Sequence, residues 1–133
     1  MRQIQTDTFT LEAASQLTEG HVAGINANTG LAEACATEGA LAVGVILASQ
    51  DQAPYETTIL AAGPVVDLIS DGAGALAPGD PLTVGATAGQ IKKRTPADGN
   101  TRRTTVAICL ATVAATQGLP VRAMLTRYDY VGA

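Results

Sequence analysis

Few side chains in this sequence could do chemistry. His21 is its one histidine, so any histidine-assisted nucleophile would have to be built around it. It stands in "TEGHVAG", at the start of an expected strand, the setting of a surface side chain. The acids Asp67, Asp71, Asp80, Asp98 and Asp129 are scattered, with neither the paired spacing nor the HExxH pattern that gathers a metal. Asp71, Asp80 and Asp98 each abut a glycine or a proline, as turn formers do. Cys35 and Cys109 lack metal-ligand spacing; buried reduced thiols are expected, with a single bridge as the alternative. These residues call for no catalytic group, metal or cofactor, and an enzyme is not expected.

The basic residues cluster in "KKRTPADGNTRR", where Lys92, Lys93 and Arg94 precede a Pro-Ala-Asp-Gly turn and Arg102 and Arg103 follow it. This is expected to be a charged hairpin tip, solvated or set against an acidic protein surface. A reader of single-stranded nucleic acid would interleave aromatics for base stacking, and none stands here. The net charge of −4 gives no global attraction to nucleic acid or to an anionic membrane. Upstream, "APGDPLTVGATAGQIKK" is rich in glycine, yet it lacks the GxxxxGK[ST] spacing of a phosphate loop.

The elements that must position these groups are short strands. In Ala77-Pro78-Gly79-Asp80 the proline presets one φ and the glycine accepts the positive φ of a type II turn. Leu82, Val84 and Ala86 then alternate with Thr83, Gly85 and Thr87, the period of a half-buried strand, before Ala88-Gly89 reverses the chain. Aligning Leu17–Leu31 with Leu76–Gln90 matches Leu17 with Leu76, Gly20 with Gly79, Ala27 with Ala86 and Gly30 with Gly89, all 59 residues apart. A corner followed by a hairpin thus recurs. Each unit leads through a polar link into an apolar strand, "ALAVGVILA" and then "TTVAICLATV". In the second of these, Val106, Ile108 and Leu110 are expected to fill the core, while Ala107, Cys109 and Ala111 admit another layer or subunit. Further strands are expected at 57–61, 65–69 and 119–130, with a short helical turn in 51–56.

The sequence of 133 residues fits one domain, and its core must come from Ala, Val, Leu and Ile because aromatics make up only 3%. Residues 1–16 are expected to form an extended N-terminal arm and 17–133 a single β-domain. The arm alternates through Ile4, Thr6 and Thr8 against Phe9 and Leu11, and it could pair within its own subunit or add to a neighbour's sheet. Its first residues lack the apolar core of a secretory signal, and "ALAVGVILA" is too short to cross a bilayer. A soluble, cytosol-made, all-β protein is expected, as a small β-barrel or sandwich.

The succession of glycine corner, hairpin, polar link and "GALAVGVIL", then "GPVVDLIS…LAPGDPLTVGATAGQI", then "TVAICLATVAATQGLPVRAML", resembles small tailed-phage capsid decoration (cement) proteins of the DUF2190-like group. The resemblance spans roughly Gly20 to Leu125. It implies a structural virion protein on the capsid exterior, commonly a homotrimer, that reinforces contacts between major capsid protein subunits. It implies no catalytic residues, no nucleic acid and no membrane, and the long link from Lys92 to Arg103 departs from its pattern. Two other readings stand beside it. One is a small trimeric β-fold enzyme acting on nucleotides, of the deoxyuridine triphosphatase type, although the ending "RYDYVGA" lacks that family's glycine-rich, aromatic tail. The other is a generic β-barrel interaction module.

Overall fold

A computed structural model describes residues 8–36, 42–61, 65–95 and 102–131, with the backbone alone for 102–104 and 127–131. Ten strands run in chain order as β1 Thr8–Leu11, β2 Val22–Ile25, β3 Ala32–Ala34, β4 Gly44–Ser49, β5 Thr57–Leu60, β6 Val65–Ile69, β7 Pro81–Val84, β8 Ile91–Lys93, β9 Arg102–Cys109 and β10 Pro120–Val131. The first five form one antiparallel sheet in the order β1-β5-β4-β2-β3, and the last five form another in the order β6-β10-β9-β7-β8. The sheets pack together as a sandwich and do not close into a barrel. The expected all-β class is therefore the fold.

The two orders are the same, and the likeness extends to single residues. β2 and β7 begin 59 residues apart, as do β3 and β8. Across the first sheet the ladders line up Thr8, Leu60, Val45 and Val22; across the second they line up Val65, Met124, Ile108 and Pro81. Turns repeat in the same way. Gly20 N–H donates to the Ile46 carbonyl at 2.9 Å and Gly79 N–H to the Cys109 carbonyl at 2.7 Å. His21 N–H reaches Thr18 O at 3.2 Å, and Asp80 N–H reaches Ala77 O at 3.1 Å. The protein is thus a five-stranded unit built twice. From Ala34 to its ladder position Val45 is 11 steps, whereas from Lys93 to Ile108 is 15, so the second unit carries four extra residues in its basic link.

Packing shows how the units sit. The first sheet turns Val22, Val45 and Leu60 toward the second, where they join Leu82, Ala107 and Val121 in one buried cluster. Its other face carries a second cluster of Ala23, Ile46 and Ile59, closed over by Leu17 and Tyr55 with Leu11 at the side. Under the ladder correspondence, Leu11, Leu17, Ala23, Ile46 and Ile59 stand where the second unit has Leu68, Leu76, Leu82, Cys109 and Ala123. All five of those lie in the main core. Equivalent faces therefore point the same way, and the sheets are stacked like two plates with the same side up.

Three local expectations are corrected. In β9 the small residues Ala107 and Cys109 are fully buried against the core; of the expected core residues Val106 is buried with them, while Ile108 is only partly buried and Leu110 is 43% exposed. The first sheet lies on the small-residue side, so bulk on that side would hold the layers apart. β7 is not half-buried by alternation, since Thr83 is as buried as Leu82 and Val84: it runs between β8 and β9 inside its sheet. Residues 51–56 form a turn closed by Tyr55 N–H on Gln52 O at 2.8 Å, with no helical turn.

Gly79 has the positive φ of +90° that the expected type II turn requires, and open space where a Cβ would stand. Gly44 approaches β5 so closely that a Cβ would collide with the Leu60 carbonyl oxygen. Gly79→Ala should therefore cost about 1–2 kcal/mol in urea unfolding, the backbone penalty alone, and Gly44→Ala should cost distinctly more. Equal costs would mean that β4 and β5 are not apposed in this way.

Candidate binding surfaces

The groups able to react are occupied or buried. His21, half-buried beside the Gly89 backbone, has its pKa lowered because burial penalises the charged ring. Its counterpart in the second unit, Asp80, accepts a hydrogen bond from Ala77 N–H at 2.9 Å and an ion pair from Lys93 Nζ at 3.1 Å. The Ala77 bond, reinforced by Lys93 against a smaller burial effect, holds its carboxyl below the usual range. Both thiols are buried and neither is in a disulfide. Desolvation, with Glu33 nearby, pushes the Cys35 thiol up to about 11, and Cys109 donates its S–H to Ala111 O at 3.0 Å. Among the described residues no three His, Cys, Asp or Glu side chains gather where a metal could sit. A void of about 10 Å³ beside Val45, Val106 and Thr126 has room for one water at most.

Of the basic residues, Lys92 and Lys93 lie on β8, Arg94 follows it, and Arg102 and Arg103 open β9 with side chains outside the described set. They do not form a hairpin tip. β7 lies between β8 and β9, so the two basic ends flank β7 instead of pairing with each other, and the Pro-Ala-Asp-Gly turn lies outside the described residues. A corner-and-hairpin unit uses its short turn for the β7–β8 pair and leaves the longer link to span a strand. Arg94 N–H donates to Pro81 O at 2.7 Å, and its Nη1 donates to Thr105 Oγ1 at 3.0 Å. Lys92, Lys93 and Thr95 border an open groove of about 330 Å³ whose other wall is Ala73, Gly74 and Ala75.

Of the arm residues, Ile4 and Thr6 lie outside the described residues. Thr8, Phe9 and Leu11 belong to β1, which pairs antiparallel with β5 of the same chain. Phe9 and Leu11 turn toward the second cluster, and Thr8 and Thr10 are exposed. No described strand pairs with the other edge of β1.

One surface was not foreseen from the sequence. The row Val65, Met124, Ile108 and Pro81 crosses the outward face of the second sheet, with Val65 50% and Met124 41% exposed. Arg122 and Asp67, paired at 3.4 Å, flank it. Only a match between the halves that allowed for the residues added in the basic link would have found this row, whose first-unit counterparts Val22, Val45 and Leu60 are core residues. No family model matches the chain, and no curated protein matches it as a relative.

Two outcomes follow for the buried groups. Burial in the native fold keeps His21 neutral below the ordinary histidine value of 6.5. As pH falls past that value the unfolded chain takes up the proton first, so stability is fully present above it and declines below. The urea midpoint should be lower at pH 5 than at pH 7.5, and His21→Gln should flatten that decline; Asp80 would act only below 3.8. Cys35 and Cys109 should resist a thiol-reactive disulfide at pH 8 until the chain is unfolded, when both react. Rapid native labelling would contradict their burial.

Proposed function

We infer that this protein is a structural binding protein that attaches to the outer surface of an assembled phage capsid and stabilises contacts between major capsid protein subunits. The observation that carries the reading is the open edge of β1. There Thr8–Leu11 are held in register by β5 and offer main-chain groups that no described strand takes up on the side away from it, the arrangement by which an edge strand takes up an extended segment of another protein. Sequence resemblance supplies the partner, and the basic groove beside Lys92 and Lys93 supplies a second, polar contact suited to an acidic surface.

A ligand of the assembled shell stabilises it by mass action alone. At a free concentration a hundredfold above the dissociation constant, each site gains about 2.7 kcal/mol. Presented as a homotrimer, several modest contacts act together and multiply the apparent affinity. Attachment outside the shell requires neither catalysis nor a cofactor.

Cosedimentation with purified empty capsids tests this reading. The intact protein should pellet with shells and raise their melting temperature. A Thr8→Lys/Thr10→Lys variant, which places charge along the β1 edge on exposed side chains, should keep its unfolding midpoint and lose shell occupancy at least tenfold. Undiminished occupancy by that variant, or no pelleting of the wild-type protein, would reject the proposal.

A further inference from the structure

We propose that the outward face of the second sheet docks onto the outward face of the first sheet in another copy of this chain, joining copies head to tail. The interface inside the chain is the template. There the first sheet seats the row Val22, Val45 and Leu60 on the second sheet. Their ladder equivalents, Pro81, Ile108 and Met124, form the outward row of the second sheet, with Val65 at its end. That face is thus built like the one the first sheet uses for docking.

The receiving face is present on the same molecule. The outward side of the first sheet holds Ile46, Ile59 and Leu17, the counterparts of the core residues Cys109, Ala123 and Leu76 on which a sheet already sits in the second unit, with Tyr55 packed against them. Ile25 lies opposite Ala32 on that side and is 46% exposed. Two different patches meet, so the contact is heterologous and either closes into a ring or continues as a stack.

Charge favours the same pairing. Residues 8–60 contain six acids and no Lys or Arg, a net of −6; residues 65–131 contain seven Lys and Arg against five acids, a net of +2. The segments closing the receiving face carry exposed Glu12, Asp51 and Glu56, whereas on the docking face Arg122 is balanced by its partner Asp67. The attraction therefore comes from the net charges of the two units and favours first unit against second over like against like. The contact is looser than its template. Within the chain Val22 N–H donates to the Gly89 carbonyl at 2.8 Å, a bond that Pro81, standing in the place of Val22, has no N–H to make.

Sedimentation velocity over a hundredfold range of concentration tests the proposal without any shell, so it can fail or succeed independently of capsid attachment. The wild-type protein should associate reversibly, less strongly as salt is raised. Met124→Glu and Ile25→Glu should each weaken association at least tenfold with unfolding midpoints retained. Mixed in equal amounts, they should form a one-to-one dimer, because each still carries the face the other has lost. Should Met124→Glu not fold, Val65→Glu takes its place. A wild-type protein that stays monomeric throughout, or a mixture that does not dimerise, overturns the proposal.

Discussion

The seating of Val22, Val45 and Leu60 on a floor of small side chains is the contact on which the rest of this molecule depends. Ala107, Cys109 and Ala123 are fully buried and project little from the second sheet, so the branched residues of the first can sink between Leu82 and Val121. Each such aliphatic side chain taken from water is worth about 1.5–3 kcal/mol. Exposed ion pairs such as Arg122–Asp67 contribute at most about 1 kcal/mol. Layer contact therefore dominates over surface charge. A backbone clasp then sets the lateral position: Val22 N–H donates to Gly89 O, and Gly89 N–H donates to Cys35 O at 2.8 Å. Gly89 can serve because its φ of +77° carries the turn while no side chain intrudes on His21.

Stacking in one sense leaves the two outer surfaces unlike each other. The first sheet's outer apolar side is closed by its own connections, through Leu17 and Tyr55, whereas the second sheet's outer row stays open. Edges are treated unevenly too. β8 carries Lys92 and Lys93 and β3 carries Glu33, charges that discourage strand addition, while β1 presents only threonine hydroxyls at its exposed positions. Among the described residues, open adhesive surface thus lies at the β1 edge and on the second sheet's outer face, while the first sheet's outer side offers Ile25 beside its covered apolar cluster.

Much of the fold was legible because turn chemistry is local. Pro78-Gly79 and Ala88-Gly89 each announce a turn, and the 59-residue match between Gly20 and Gly79 marked a true duplication from four identities. The match faded downstream for a physical reason. Four residues added in the basic link shift β9 relative to β4, so fixed-offset comparison loses the ladder partners Val45 and Ile108. Which face of β9 is buried could not be read from that strand alone, since both faces are apolar and the choice is made by the layer above. The link from Lys92 to Arg103 looked like a hairpin because proline and glycine lie between its basic ends, but strand order places β7 there. Phe9 and Leu11 were readable as a strand; that β5 would be its partner was not, because pairing across 50 residues leaves no local trace.

A duplicated unit that stacks in one sense has no inherent stopping point, and the differences between the halves sit where a third layer would begin. Pro81 replaces Val22 and removes a donor; Arg94 replaces the buried Cys35 and puts a guanidinium at the layer boundary, held by Thr105. Met124 replaces Leu60, trading a branched side chain for a flexible one that tolerates both water and an apolar partner. Each change weakens a specific component of the internal contact without abolishing the apolar row. The outward face is therefore poised between a core and a surface: too apolar to be mere solvent boundary, and too altered to bind as tightly as the covalently linked layer. Such divergence is what separates a discrete two-layer protein with reversible contacts from a duplicated unit that would polymerise without limit.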